Sequence, residues 1–193
     1  MNTARRRATY DDLLKVPDIL VAEILNGELF TSPRPAIPHA HASSTLCGAL
    51  DPFDRRIVSS DGIGGWWILF APELHLGADI LVPDLAAWRR EQVPVLPNVA
   101  YFELAPDWVC EVVSPSTARV DRVRKVPIYA REGVGHLWLV DPLQQTLEVF
   151  QLEGQHWVLM STHGAAETVR AEPFAALELD MSRWWLESEP EQA

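Results

Sequence analysis

The chain has 193 residues, of which 48% are hydrophobic, and it carries a formal net charge of -11 at pH 7. This apolar content suffices for one sizeable core, so we expect a single domain over residues 1–193, with flexible tails at residues 1–8 and 187–193. The acidic balance argues against a protein that coats nucleic acid non-specifically. Neither a run of ~20 apolar residues nor a signal-peptide core is present, so we expect a cytoplasmic protein without membrane contact.

The first 50 residues predict a β-hairpin followed by a helix. Asn26-Gly27 between two apolar runs is typical of a hairpin turn. Glu23 and Glu28 are expected on the more exposed face of that hairpin, where solvated acids are favoured over catalytic ones. A proline-rich loop then leads to a helix over residues 39–50. His39 lies in its first turn, where a surface or packing role is favoured over a ligand role.

Two later strands each carry one acidic residue. Asp84 lies in the apolar run at residues 80–88, which is expected to pair antiparallel with residues 66–76 through a turn at residues 77–79. Glu111 lies in the β-branched run at residues 108–113, after a proline-containing loop. A lone ionised carboxylate on a strand that is covered on both faces is unfavourable unless it is paired, hydrogen-bonded or bound to a metal. Two such strands side by side would allow one cation to hold both carboxylates.

A cluster of basic residues follows the Glu111 strand. A helix is expected from Ala118, and Pro127 either kinks it or begins a second helix that runs to Glu132. Within residues 116–131, Asp121 accompanies a set of bases, namely Arg119, Arg122, Arg124, Lys125 and Arg131. A strand at residues 136–141, a hairpin and a short closing helix complete the chain. These elements predict an α/β fold with a mixed sheet flanked by helices.

Several motifs occur in the order found in one nuclease family. They are Val82-Pro83-Asp84-Leu85-Ala86, then Trp108-Val109-Cys110-Glu111-Val112-Val113-Ser114-Pro115-Ser116-Thr117, then Tyr129-Ala130-Arg131-Glu132-Gly133-Val134 and Trp138-Leu139-Val140-Asp141-Pro142. Over roughly residues 10–157 the chain resembles the Uma family of proposed restriction endonucleases, in the PD-(D/E)XK nuclease superfamily. The resemblance implies a restriction-endonuclease-like core.

Carried over residue by residue, the resemblance implies that Asp84 and Glu111 are catalytic and bind Mg²⁺ (or Mn²⁺). The superfamily's lysine would stand at position 113, which is Val113 here, so the resemblance assigns the third catalytic role to Lys125 on the following helix. Hydrolysis of a phosphodiester needs a hard divalent cation, which carboxylates hold while they leave positions for water and phosphate. The lysine orients or deprotonates the attacking water, or offsets charge at the phosphate.

Each of these residues also has a structural interpretation. Asp84 could be a turn acid after proline, Glu111 could pair with a core arginine, and Lys125 could lie on a solvated helix face. For either acid alone the structural interpretation is favoured. The two acids in this order, together with the resemblance, favour metal binding, and for Lys125 catalysis is slightly favoured.

Two functions are consistent with these residues. The first is a metal-dependent endonuclease that hydrolyses DNA. In this function His39 and Glu28 have auxiliary roles, and three basic residues contact phosphate, namely Arg119, Arg122 and Arg124. The second is a catalytically silent module that keeps the fold and binds nucleic acid or a protein partner. The acidic net charge and the displaced lysine favour the second function, whereas the two retained carboxylates favour the first. We expect DNA as the partner, and the chain could also form a homodimer.

Overall fold

The structure, a computed structural model, describes residues 6–186. The predicted tail at residues 187–193 and the first five residues of the predicted N-terminal tail lie outside this range. Residues 6–8, part of the predicted tail, contact the rest of the chain: the Arg6 guanidinium lies 2.7 Å from a carboxylate oxygen of Asp12, and the Ala8 amide donates a hydrogen bond to the Gly27 carbonyl at 2.9 Å. The segment is thereby attached to the first hairpin.

Short strands make up most of the regular secondary structure in the described chain. Within residues 6–186 the strands are β1 (Leu20–Leu25), β2 (Glu28–Pro33), β3 (Trp66–Phe70), β4 (Leu74–Leu76), β5 (Asp79–Leu81), β6 (Leu85–Arg89), β7 (Trp108–Val112), β8 (His136–Asp141), β9 (Thr146–Glu153), β10 (His156–Gly164), β11 (Thr168–Val169) and β12 (Leu179–Asp180). Six of them form one sheet in the order β10-β9-β8-β7-β6-β3. In that sheet β7 and β8 are parallel and the other neighbours are antiparallel, which confirms the predicted mixed sheet.

The helices connect and cover these strands. They are α1 (Tyr10–Leu13), α2 (Ile37–Leu50), α3 (Ala118–Val120) and α4 (Val126–Arg131), with a π-helical turn at Asp121–Lys125 and 3-10 helices at Asp51–Phe53 and Met181–Trp184. From α3 to α4 the helical segment is continuous, and it forms the crossover between the parallel strands β7 and β8. Pro127 lies in the first turn of α4, directly after the π-helical turn, and it has no amide proton to donate to the preceding turn. No helix in residues 6–186 has the length and apolar character needed to span a membrane.

The predicted long hairpin at residues 66–88 is divided between two sheets. β3 pairs with β6 in the six-stranded sheet, whereas β4 and β5 join the predicted first hairpin in a four-stranded sheet of order β2-β1-β5-β4. The division occurs at Ala71-Pro72 on one side and at Val82-Pro83 on the other. Ala71 has a positive φ of 46°, and neither proline can donate an amide hydrogen bond to a strand. The interruptions in the two strands of the hairpin therefore lie opposite each other.

Both faces of the six-stranded sheet are covered. One face packs against α2 and the C-terminal residues through a cluster that includes Leu46, Trp108 and Phe174. The other face packs against the four-stranded sheet and α4 through a cluster that includes Leu81 and Ile128. This double cover is the reason that β6 and β7 are apolar at nearly every position.

Candidate active site

Asp84 lies in a bend directly before β6, and the prediction that placed it in the middle of a strand is wrong. The antiparallel register of Leu85 with Cys110 continues to place Asp84 beside Glu111, at the end of β7. One carboxylate oxygen of Asp84 accepts a hydrogen bond from the Val112 amide at 2.7 Å. The two acids are therefore neighbours across adjacent strands, as the sequence predicted.

The other carboxylate oxygen of Asp84 lies 2.6 Å from Nε2 of His39. α2 begins at Ile37, so His39 occupies its first turn, where the ring reaches the start of β6. His39 is only 8% exposed, and it packs against an acid of the candidate site rather than facing solvent. Its auxiliary role in function stays a prediction.

Glu111 is 2% exposed, and both of its oxygens have partners. Its Oε1 accepts a hydrogen bond from the Tyr129 hydroxyl at 2.5 Å, and its Oε2 lies 3.1 Å from Nζ of Lys125. The partner of this buried acid is thus a lysine and a tyrosine from the crossover helix, in place of the core arginine considered above.

Lys125 ends the π-helical turn and is only 4% exposed, so the solvated-face interpretation is wrong. Its ammonium lies near four oxygens, which belong to Glu23 (2.9 Å), Glu111 (3.1 Å), Asp121 (3.5 Å) and the Val82 carbonyl (3.4 Å). The crossover returns over the sheet, as the displaced position of this lysine requires. We refer to Glu23, Glu111, Asp121 and Lys125 as the buried charge cluster.

Burial controls the electrostatics of this cluster. Burial raises the pKa of Glu111 well above its ordinary value; the charge of Lys125 opposes that shift, and the Asp121 and Asp84 carboxylates add to it. Burial also raises the pKa values of Glu23 and Asp121. For Lys125, burial alone would lower the pKa, but the three carboxylates around it together raise that pKa well above its ordinary value. Lys125 is therefore held in its protonated form.

Comparison with known proteins places the chain in a family. A family model described as "Putative restriction endonuclease" (Uma2) matches residues 8–182. The chain belongs to the Uma2 family. A solved structure, described as "a putative nuclease belonging to DUF820 from Anabaena variabilis ATCC 29413", is similar to it with a TM-score of 0.70 and 22% identity, over 92% of this chain and 97% of that chain. This likeness confirms the α/β fold of the Uma2 protein. A comparison with curated proteins found no match.

The donor types in this Uma2 protein fit a hard divalent cation. Within residues 6–186, no three His, Cys, Asp or Glu side chains form a ready-made metal-binding group. Asp84 and Glu111 instead contact protein partners in this conformation. Mg²⁺ usually keeps several waters and is held by one or two carboxylates together with substrate phosphates, so two adjacent carboxylates suit that mode of binding. Burial raises the pKa of Glu111, and a bound cation would favour its ionised form.

Sequence reasoning missed three residues of the candidate site. Glu23 was expected in solvent, but it is 6% exposed because its strand lies between β2 and β5 and its carboxylate contacts Lys125. Asp121 and Tyr129 were not assigned, although together with Lys125 they recur every four residues. That spacing marks one face of a helix and was a usable signal. Glu28, the predicted auxiliary residue, is the more exposed acid of the hairpin and lies 3.7 Å from Arg124.

The predicted phosphate-contacting arginines lie on the outer side of the crossover. Arg122 and Arg124 are a little over 40% exposed, and each faces a glutamate, at 2.6 Å from Glu148 and at 3.7 Å from Glu28. Arg119 is exposed on the same helical segment. The structure thus brings these side chains to the surface near the site, and their contact with nucleic acid stays a prediction.

We expect Tyr129→Phe to lower the free energy of unfolding by about 1–3 kcal/mol, because it leaves a buried Glu111 oxygen without its hydrogen-bond donor. Urea denaturation at neutral pH measures this change. Tyr101→Phe is the matched control, since Tyr101 is only partly buried and stacks on His75; its effect should stay within about 0.5 kcal/mol. Equal stabilities of the two variants would contradict the Tyr129–Glu111 contact.

Proposed function

We propose that this Uma2 protein is a Mg²⁺- or Mn²⁺-dependent endonuclease that hydrolyses DNA phosphodiester bonds. The observation that carries the proposal is the convergence of Asp84 and Glu111 from adjacent strands, with the Lys125 ammonium 3.1 Å from Glu111. Membership of a family described as "Putative restriction endonuclease" supports the same activity.

Each residue of the site has a distinct role in this proposal. Asp84 and Glu111 would hold the cation through carboxylate oxygens, and His39 would fix the orientation of Asp84. When bound, the cation supplies Lewis-acid activation of the phosphate and lowers the pKa of the attacking water. Lys125 would offset the negative charge that develops on the transferring phosphoryl group, or orient the water. The three carboxylates around Lys125 favour its protonated form, which suits both of these roles.

A second candidate function has its own supporting observation. All four carboxylate oxygens of Asp84 and Glu111 have partners within the protein, and the described residues contain no ready three-ligand metal group. This arrangement favours a silent module in which the former catalytic residues hold the fold together. Such a module would bind nucleic acid or a protein partner without cleaving it.

A cleavage assay separates the two functions. Purified full-length protein is incubated with a mixed pool of double-stranded DNA in Mn²⁺ or Mg²⁺, and in EDTA as the metal-free reference. We expect cleavage products with either cation and none in EDTA; a matched RNA pool tests the preference for DNA. If wild type cleaves no more DNA with either cation than in EDTA, the endonuclease proposal fails and the silent module is supported.

We expect Arg122→Gln and Arg124→Gln to weaken DNA binding about equally for all sequences, because phosphate contacts carry no sequence information. Each lost contact should reduce the slope of log K against log salt by about 1. Fluorescence anisotropy at several salt concentrations measures both effects. Arg170→Gln is the control, since Arg170 is similarly exposed and also pairs with a glutamate, Glu178. Binding that changes equally in the control would place the DNA site elsewhere.

A further inference from the structure

Glu23 is a buried acid without a role in the proposed mechanism. Its Oε1 accepts a hydrogen bond from the Val82 amide at 2.8 Å and also lies 2.9 Å from Nζ of Lys125. One oxygen atom therefore links three parts of the fold: the N-terminal hairpin, the connection between β5 and β6, and the crossover helix. The Lys125 ammonium contacts the same three parts from the crossover side, through Glu23 and the Val82 carbonyl.

The backbone of Val82 is held on both sides by this pair. Glu23 accepts from the Val82 amide, while the Lys125 ammonium lies 3.4 Å from the Val82 carbonyl oxygen. Val82 follows the end of β5, and Pro83, which has no amide proton, separates it from Asp84. The Glu23–Lys125 pair thus fixes the backbone polar groups that immediately precede the bend with Asp84.

Burial makes this arrangement sensitive to the charge of Glu23. The side chains of Glu23 and Lys125 are 8% and 5% exposed, so little solvent is available to replace a lost partner. Glutamine at position 23 would keep an acceptor for the Val82 amide but would remove the negative charge beside Lys125. The hydrogen bond and the charge of Glu23 can therefore be separated by substitution.

We propose that Glu23 is a positioning residue that holds Lys125 and the Asp84-bearing bend in a fixed relation to each other. Glu23 acts through these two neighbours, and we propose no contact between Glu23 and the substrate or the reacting atoms. The catalytic consequence of this role rests on the proposed nuclease function, whereas its geometric part concerns Val82 and Lys125 alone. The two parts are tested by different measurements.

A double-mutant cycle tests the catalytic part. Single-turnover cleavage of DNA in Mn²⁺ is measured for wild type, Glu23→Gln, Lys125→Met and the double variant, at a temperature where circular dichroism shows each to be folded. We expect Glu23→Gln to lower the rate by about 10–100-fold with DNA affinity unchanged. Because Glu23 acts through Lys125, the double variant should be no slower than Lys125→Met. Rate losses that multiply, or a wild-type rate for Glu23→Gln, would overturn the proposal.

Hydrogen exchange of the Val82 amide tests the geometric part without any cleavage. Glu23→Ala removes the acceptor of that amide, so its exchange should be faster by about fivefold or more, the factor that one net hydrogen bond supplies. Glu23→Gln should retain most of the protection. Glu153→Gln, an exposed acid at the β9–β10 turn, is the control for both experiments.

The two measurements distinguish failure of the positioning role from failure of the proposed function. Unchanged exchange of Val82 in Glu23→Ala would overturn the positioning role even if the enzyme cleaves DNA. If wild type itself shows no metal-dependent cleavage, the proposed function is rejected, and the exchange of Val82 by itself decides whether Glu23 holds the bend.

Discussion

Replacing Lys125 by methionine should lower the free energy of unfolding by about 3–5 kcal/mol at neutral pH, because it leaves buried carboxylates without their cation. Lys125 is 4% exposed, and its ammonium lies within 4 Å of Glu23, Glu111 and Asp121. Methionine fills a similar volume, so the loss reports charge rather than a cavity. The same variant should reduce cleavage by roughly 10²-fold or more, as removal of one electrostatic group commonly does.

The destabilisation by Lys125→Met should be larger at pH 8 than at pH 5. The carboxyl pKa values of the cluster are raised in the folded protein, so these groups favour folding while they are protonated. Their contribution is lost as the pH rises through the folded-state pKa values, and removal of Lys125 raises those values further. Lys125 itself stays protonated throughout this range in wild type, since its pKa is raised.

Urea denaturation of wild type and variant at both pH values measures this difference. The chain has one other lysine, Lys15, which is 75% exposed, and Lys15→Met is therefore the matched control. The control should change the free energy of unfolding by no more than about 0.5 kcal/mol at either pH. A Lys125→Met variant with an equal loss at pH 5 and pH 8 would contradict the interpretation that buried carboxylates cause the loss.

Asp84→Asn should reduce single-turnover DNA cleavage by about 10²–10⁴-fold, because a bound cation supplies several kcal/mol of charge stabilisation and each 1.4 kcal/mol is a factor of ten. Asparagine retains an oxygen that can accept the Val112 amide hydrogen bond, so the fold should persist. Isothermal titration with Mn²⁺ should show weaker binding by the variant.

The comparison for Asp84 is Asp61→Asn, an exposed acid in the turn before β3. Both variants lose one carboxylate, but only the change at Asp84 removes a proposed metal ligand. We expect Asp61→Asn to cleave DNA at the wild-type rate. If wild type cleaves DNA and Asp84→Asn cleaves it at the same rate, Asp84 has no part in the mechanism.

Local signals in the sequence determined much of the fold. The Asn26-Gly27 turn predicts the first hairpin because both residues tolerate positive φ, and the structure has that hairpin. The apolar runs around Asp84 and Glu111 predict neighbouring covered strands, since a solvated face would have shown alternation. The order of the acids, the crossover helix and the following strand also resembles that of the Uma family, and the family match confirms this resemblance.

The buried charge cluster was decided by the tertiary structure. Glu23 and Glu28 look alike in the sequence, since both are acids on one hairpin, but β1 lies inside a four-stranded sheet beneath the crossover helix and only Glu23 reaches Lys125. Burial depends on contacts between residues that are distant in the chain, and a local pattern does not specify them. The same reason applies to Lys125, which lies in a basic segment that reads as solvated until the π-helical turn and the facing acids enclose it.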